Sequence, residues 1–183
     1  GGKAYFGGCD GFLHIVDIVS GDLYKKIDVA TYVAGSITLN EGNAYLGDYD
    51  GRFFQVDINQ EKITWEWEHP ETNLPFIASP ALKGDKVLTA NHNKFLYCFD
   101  KNSGEKLWDY NTGNRVEASP VIVGNKVISA NMRGDLALLN LLNGQIVWSY
   151  EIGSAIVSNP AVAGGKIFVG AMDGNVYCFG DPS

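Results

Sequence analysis

The 183-residue sequence has no adjacent cysteines, no long apolar run and no excess of basic charge. Cys9, Cys98 and Cys178 have neither the spacing of a zinc site nor that of a redox pair. No segment approaches the ~20 apolar residues of a membrane-spanning helix, and the glycine-rich start does not read as a signal peptide. Only 14 lysines and arginines stand against 21 acidic side chains, a net charge of −7. That balance argues against an electrostatic grip on nucleic-acid phosphates, which needs a basic face. The apolar fraction is 45% with 12% aromatics, enough to fill a core and to exclude wholesale disorder. The 22 glycines point to many turns.

The sequence repeats itself. Ser119 to Ser158 aligns with Ser79 to Ala118 at an offset of 40, and the segments from Ser36 and Asn159 align with both. Within one 1–183 domain the units are 1–35 (partial), 36–78, 79–118, 119–158 and 159–183 (partial). Asp10, Asp50, Asn93, Arg133 and Asp173 precede Asp17, Asp57, Asp100, Asn140 and Gly180 by seven residues. From Asp57, Asp100 and Asn140, eight more residues reach Trp65, Trp108 and Trp148; Lys25 takes that place in the first copy. All length variation falls between His69 and Ile77. Constant spacing elsewhere suggests strands joined by tight turns, with one loop free to grow.

Each copy reads as four short strands, in the third copy roughly Pro80–Leu82, Lys86–Ala90, Phe95–Asp100 and Lys106–Tyr110. KVLTA and KLWDY alternate apolar and polar residues as half-buried strands do. Asp10-Gly11, Asp50-Gly51 and Asp173-Gly174 suit tight hairpins. Asp100 to Gly104 resembles a type I turn closed by a left-handed glycine, with the aspartate capping its own turn. Glu61 replaces that glycine in the second copy and should strain the turn by roughly 1 kcal/mol or change its type. No helix of useful length is expected. Runs of four strands repeating at about 40 residues specify an all-β fold, a β-propeller of four-stranded antiparallel blades with about four and a half repeats. A four-stranded sheet cannot bury both faces alone, so blades stack face to face. Trp65, Trp108 and Trp148 are then blade-docking fillers between neighbours.

The segment Cys98-Phe-Asp100-Lys-Asn-Ser-Gly104-Glu105-Lys-Leu-Trp108 resembles the tryptophan-docking motif of quinoprotein alcohol dehydrogenases. Ser79-Pro80, Ser119-Pro120 and Asn159-Pro160, with Gly165–Gly170 and Asp173–Gly180, complete a unit similar to the PQQ-like repeat. That repeat is shared by those enzymes and by non-enzymatic BamB-like envelope propellers. The resemblance covers essentially the whole chain and implies seven or eight blades in all, which would make these 183 residues the C-terminal part of a longer propeller. Open blade edges would then favour self-association or complementation. In the dehydrogenases the resemblance also implies pyrroloquinoline quinone (PQQ) flanked by a vicinal disulfide and a stacking Trp, with calcium and an aspartate base. The present sequence has no Cys-Cys pair and no acidic cluster peculiar to one copy, and its fourth Trp, Trp67, falls in an outer strand. Neither cofactor nor metal is therefore expected unless a dehydrogenase reading holds. His14, His69 and His92 occupy unrelated repeat positions and read as solvated or satisfied groups. Cys98 and Cys178 read as small buried fillers.

Binding remains. The connections Ala30–Gly35, His69–Ile77, Gly113–Ala118 and Gly153–Ser158 would surround one mouth of a propeller channel, and they differ most among copies. Their large or polar members Tyr32, Asn73, Phe76, Arg115 and Glu117 are the candidate partner-binding residues. The leading expectation is a non-catalytic binding or scaffold propeller for a protein or peptide, in the cell envelope, periplasm or outside the cell by family resemblance. The alternatives are a piece of a PQQ-dependent dehydrogenase and a small-molecule or glycan-binding propeller.

Overall fold

The structure, a computed structural model, describes residues 2–33 and 35–180. Ala34 in the first candidate loop and the terminal Asp-Pro-Ser lie outside the described residues. Eighteen strands form five antiparallel sheets, each a simple meander, and no helix occurs among the described residues. The first sheet is β1 (Lys3–Gly7), β2 (Phe12–Asp17) and β3 (Leu23–Asp28); the second is β4 (Thr38–Asn40), β5 (Asn43–Gly47), β6 (Arg52–Asp57) and β7 (Lys62–Glu68). The third is β8 (Ala81–Lys83), β9 (Lys86–Ala90), β10 (Phe95–Asp100) and β11 (Lys106–Asn111). The fourth is β12 (Val121–Val123), β13 (Lys126–Ala130), β14 (Asp135–Asn140) and β15 (Ile146–Glu151). The fifth is β16 (Ala161–Ala163), β17 (Lys166–Gly170) and β18 (Val176–Phe179). The four strands expected for the third copy fall within a residue of those found.

Two compact units divide the chain, Gly1–Pro80 with the first two sheets and Ala81–Ser183 with the other three. In the first unit, Leu13, Ile15 and Ile27 of one sheet pack with Ala44, Leu46, Phe54 and Val56 of the next, all at most 2% exposed. In the second, Ile128, Ala130 and Leu136 pack with Val169, joined by Ile156 from the connecting loop. Burial of each apolar side chain of this size contributes roughly 1.5–3 kcal/mol, so stacking rather than any single sheet holds the fold. Alternation holds for the outer strand β11 but not for β9, where Val87, Leu88, Thr89 and Ala90 are all buried. A strand whose side chains are enclosed on both faces has no solvent side for alternation to reveal.

The turns follow from their side chains. Asp100 Oδ1 accepts from Asn102 N and Ser103 N, each at 2.9 Å, and Asp57 Oδ1 does the same for Asn59 N and Gln60 N at 2.9 Å. The turn ends left-handed at Gly104 and Gly144, with φ of 74° and 70°. Glu61 keeps that conformation at φ 57°, so the turn type is unchanged and the residue carries the strain. The sequence gives no sign of a further regularity. Pairing between the last two strands slips after Ile15, Gln55, Cys98 and Leu138, the same repeat position in the first four sheets. This bulge puts one extra residue next to Lys25, Trp65, Trp108 and Trp148 and so re-aims each of them.

The loop face and its candidate site

In a four-stranded meander the hairpin between the second and third strands and the exit from the fourth emerge at the same end. In the first unit, Tyr49 N donates to Tyr32 O at 3.1 Å; in the second, Met132 N donates to Arg115 O at 3.0 Å and Met172 N to Ala155 O at 2.9 Å. The same hydrogen bond therefore recurs while the acceptor residue differs each time and the donor changes from tyrosine to methionine. One residue on, Val33, Phe76, Val116 and Ile156 share a register and are 8, 0, 1 and 0% exposed. Phe76 N and Ile156 N are held by the carbonyls of Asp48 and Asn131, at 2.9 and 3.1 Å. Asp48 and Asn131 are themselves fully buried. Asp48 accepts from Arg52 N and Arg52 Nε at 2.8 and 2.9 Å, and Asn131 Oδ1 accepts from Arg133 N and Asp135 N, both at 3.0 Å.

This arrangement sorts the five candidates. Tyr32 is 56% exposed and Asn73 is also exposed, with Tyr49 and Leu74 beside them in the exposed set of the first unit. Phe76 corrects the expectation that it faces a partner. Its ring lies 5.8 Å from that of Phe53 and 6.1 Å from that of Trp67, and its Cβ fills the space left by Gly47. It plugs the end of its sheet because its register demands an apolar residue there. The signal was available in the shared apolar character of Val33, Val116 and Ile156.

In the second unit Arg115 and Glu117 come together. Arg115 Nη2 lies 3.2 Å from Glu117 Oε1, and that oxygen lies 3.9 Å from His92 Nε2. His92 is the residue that sequence reasoning missed. Its side chain is 22% accessible, but its Nε2 is buried with no hydrogen-bond partner and so is not satisfied. Burial pushes its imidazole below the usual histidine value, against the pull of Glu117 and with the push of Arg115. The other two histidines fit their expectation: His14 Nε2 meets Asp10 Oδ2 at 2.9 Å, and His69 Nδ1 accepts from Glu71 N at 3.2 Å.

The tryptophans act as expected where both neighbours lie in one unit. Trp108 donates its indole N–H to Leu141 O at 3.1 Å, and the Trp148 ring lies 5.2 Å from that of Phe179. Trp65 packs on Tyr45 and Phe53 within its own sheet. Cys98 is buried, whereas Cys178 is exposed, contrary to expectation, because β18 is the edge of a three-stranded sheet and β10 is not. A groove of about 710 Å³ beside β18 is lined by Leu138, Trp148, Ile167 and Phe179, away from the loops.

Stacked antiparallel sheets of three or four strands, with a tryptophan at one fixed place in three outer strands, define a β-propeller built of PQQ-like repeats. The chain belongs to the family whose model is described as outer membrane protein assembly factor BamB, which matches residues 1–180. BamB from Moraxella catarrhalis has the same fold at a TM-score of 0.83 and 18% identity, over 98% of this chain and 58% of that one. The computationally designed Ika8 protein matches at a TM-score of 0.85 and 15% identity, over 99% and 56%. Quinoprotein alcohol dehydrogenase PedE of Pseudomonas putida is 31% identical over 96 residues, 46% of this chain and 15% of the enzyme. The quinoprotein ethanol dehydrogenase of Pseudomonas aeruginosa is 30% identical over the same shares. This chain thus spans 15% of the length of those enzymes and a little over half of the two structures.

The dehydrogenase likeness raises the question of a quinone and calcium site. No two cysteines are adjacent, and among the described residues no three His, Cys, Asp or Glu side chains gather as a metal would need. The turn carboxylates Asp57 and Asp100 are occupied by backbone N–H groups.

Proposed function

We propose that this chain is part of a non-catalytic binding or scaffold propeller of the cell envelope that takes a protein or extended peptide on its loop face. One observation carries the reading. The loop backbone is held by the same hydrogen bond in both units, while its exposed side chains are Tyr32 and Tyr49 in one and Arg115 and Met172 in the other. A fold needs the first regularity and has no need of the second, and aromatic and arginine side chains are the usual anchors of interfaces. Membership in a family described by outer-membrane protein assembly supports both the envelope setting and a protein partner. No helix among the described residues is long and apolar enough to cross a membrane.

A photo-crosslinking side chain placed in turn at Tyr32, Asn73, Met132 and Val123 tests it. Discrete adducts in the cell envelope from the first three positions, and none from Val123 at the far end of its sheet, are expected. Equal labelling at all four would overturn the reading. A quinone-dependent dehydrogenase is the second reading, supported by the 30–31% identity to such enzymes. On that reading these residues supply framework rather than ligands.

A further inference from the structure

His92 Nε2 is a buried polar atom without a hydrogen bond, in a protein where such atoms are few. It stops 3.9 Å short of Glu117 Oε1, too far for a hydrogen bond and near enough for an ion pair once the ring is charged. The same oxygen is held by Arg115 Nη2 at 3.2 Å, and Arg115 has no other ion-pair partner among the described residues. One carboxylate thus lies between a guanidinium and an imidazole whose charged form burial disfavours. The register shows that the fold does not require the trio. The places of His92, Arg115 and Glu117 are taken one repeat on by Met132, Ala155 and Val157.

We propose that protonation of His92 draws Glu117 from Arg115 to the imidazolium and frees the Arg115 guanidinium for a carboxylate of an acidic partner segment. The proposal rests on the loop-face reading and adds to it the partner's chemistry and its control. Whichever ring nitrogen takes the proton from solvent, Nε2 then carries an N–H beside the carboxylate. A shift of about 1 Å brings the pair to charge-assisted hydrogen-bond length. The charged groups acting on the ring are Glu117 and Arg115, both on the connection that leaves β11. Arg115 is half exposed, with its side chain 50% accessible against 26% for Glu117, so the released group faces solvent. What it already holds is a carboxylate, and a carboxylate from a partner is the like-for-like replacement.

Two measurements on the whole chain decide the matter. The first follows the ring of His92 and the side-chain N–H of Arg115 by NMR from about pH 8 to about pH 5. Both should move with one midpoint, and the Arg115 response should vanish in Glu117→Gln and in His92→Gln. The second measures a fluorescent glutamate-rich peptide by anisotropy. Binding should tighten by about fivefold over that range, the worth of one exposed ion pair. That tightening should be absent in His92→Gln and in Arg115→Gln alike. Arg115 signals indifferent to His92, or the same pH dependence in His92→Gln, overturn the proposal. A peptide that binds at no pH also overturns it, while loop-face crosslinks from Tyr32, Asn73 and Met132 would leave the wider reading standing.

Discussion

Trp108 Nε1 donates to Leu141 O at 3.1 Å, and Lys25 Nζ, in the same register two sheets earlier, donates to Ile58 O at 3.2 Å. Both bonds join the outer strand of one sheet to the turn of the next, one within each unit. Under the indole lies Gly144, where a Cβ would come within 2.6 Å of the Trp108 ring. Under Lys25 the corresponding residue is Glu61, whose Oε1 meets Nζ at 2.8 Å. Two departures from the repeat, a lysine for tryptophan and a glutamate for glycine, are therefore one coupled change. A flat ring needs a bare glycine; a thin lysine stem leaves room for a side chain, and that side chain answers its charge.

The indole seam predicts a graded response to alanine. Gly144→Ala meets both a φ of 70° and the Trp108 ring, whereas Gly153→Ala meets a φ of 80° with nothing within 4 Å. Gly153→Ala should cost about 1–2 kcal/mol from the left-handed backbone alone. Gly144→Ala should cost a further 1–3 kcal/mol or so for overpacking. Urea denaturation gives the difference, and a shift in tryptophan emission should accompany Gly144→Ala only. Equal midpoints would show that Trp108 does not rest on Gly144.

The polar seam predicts coupling. Glu61→Gly relieves about 1 kcal/mol of left-handed strain but removes the partner of Lys25. In a Lys25→Met background only the relief remains. Glu61→Gly should therefore raise the urea midpoint more in Lys25→Met than in the parent. Added salt should shrink that difference, since the side chain of Glu61 is 51% accessible and the pair is screened. Additive midpoints would deny the coupling.

Phe76→Ala should destabilise the chain by about 3–5 kcal/mol, as truncation of a buried phenylalanine does. Its ring is wholly enclosed against Phe53 and Trp67, so the loss belongs to the core. Tyr32→Ala, by contrast, should leave the midpoint within about 0.5 kcal/mol of the parent, as surface changes do. A binding defect in Phe76→Ala would accordingly say nothing of contact, while one in Tyr32→Ala would.

Strand boundaries, turn caps and the tryptophan positions were legible because each depends on local chemistry repeated several times over. An Asp before two free N–H groups, a Gly at positive φ and a Trp at fixed spacing recur in most copies, so each can be read several times over. The fate of Phe76 was legible too, but only by reading down the register instead of along the loop. His92 was not. Its position after the second strand holds Cys9, Tyr49, Met132 and Met172 in the other copies, and no spacing in the chain announces that Glu117 will stop 3.9 Å away. Burial of an atom depends on the packing of several segments, which repeat spacing does not encode.

The cysteines should separate cleanly in a thiol assay. Burial pushes the Cys98 thiol up to about 12, so it offers almost no thiolate at neutral pH and little access. Cys9 and Cys178 are exposed. An aromatic disulfide reagent should titrate two thiols rapidly in the native chain and the third only in denaturant. Rapid reaction of all three would mean that β10 is not enclosed as described.

Acid should act through the turn carboxylates. Asp100 is held below the usual carboxylate value, first by Ser103 N and then by Asn102 N, against the opposing effect of burial. Asp17 and Asp57 are lowered in the same way by Ser20 N and Gln60 N. A depressed folded value contributes stability that is present above the unfolded value, about 3.9, and is lost as pH falls through the folded one. The chain should therefore weaken progressively below about pH 4. The fourth sheet supplies the control, because Asn140 caps its turn without a charge, its Oδ1 accepting from Leu142 N at 2.8 Å. Asp100→Asn should keep the turn, leave neutral-pH stability nearly unchanged and flatten the acid limb of the stability curve by one group. Asp100→Ala should lower stability at neutral pH by roughly 1 kcal/mol, as other lost caps do. An acid limb identical in Asp100→Asn and the parent would remove Asp100 from the groups that titrate on unfolding.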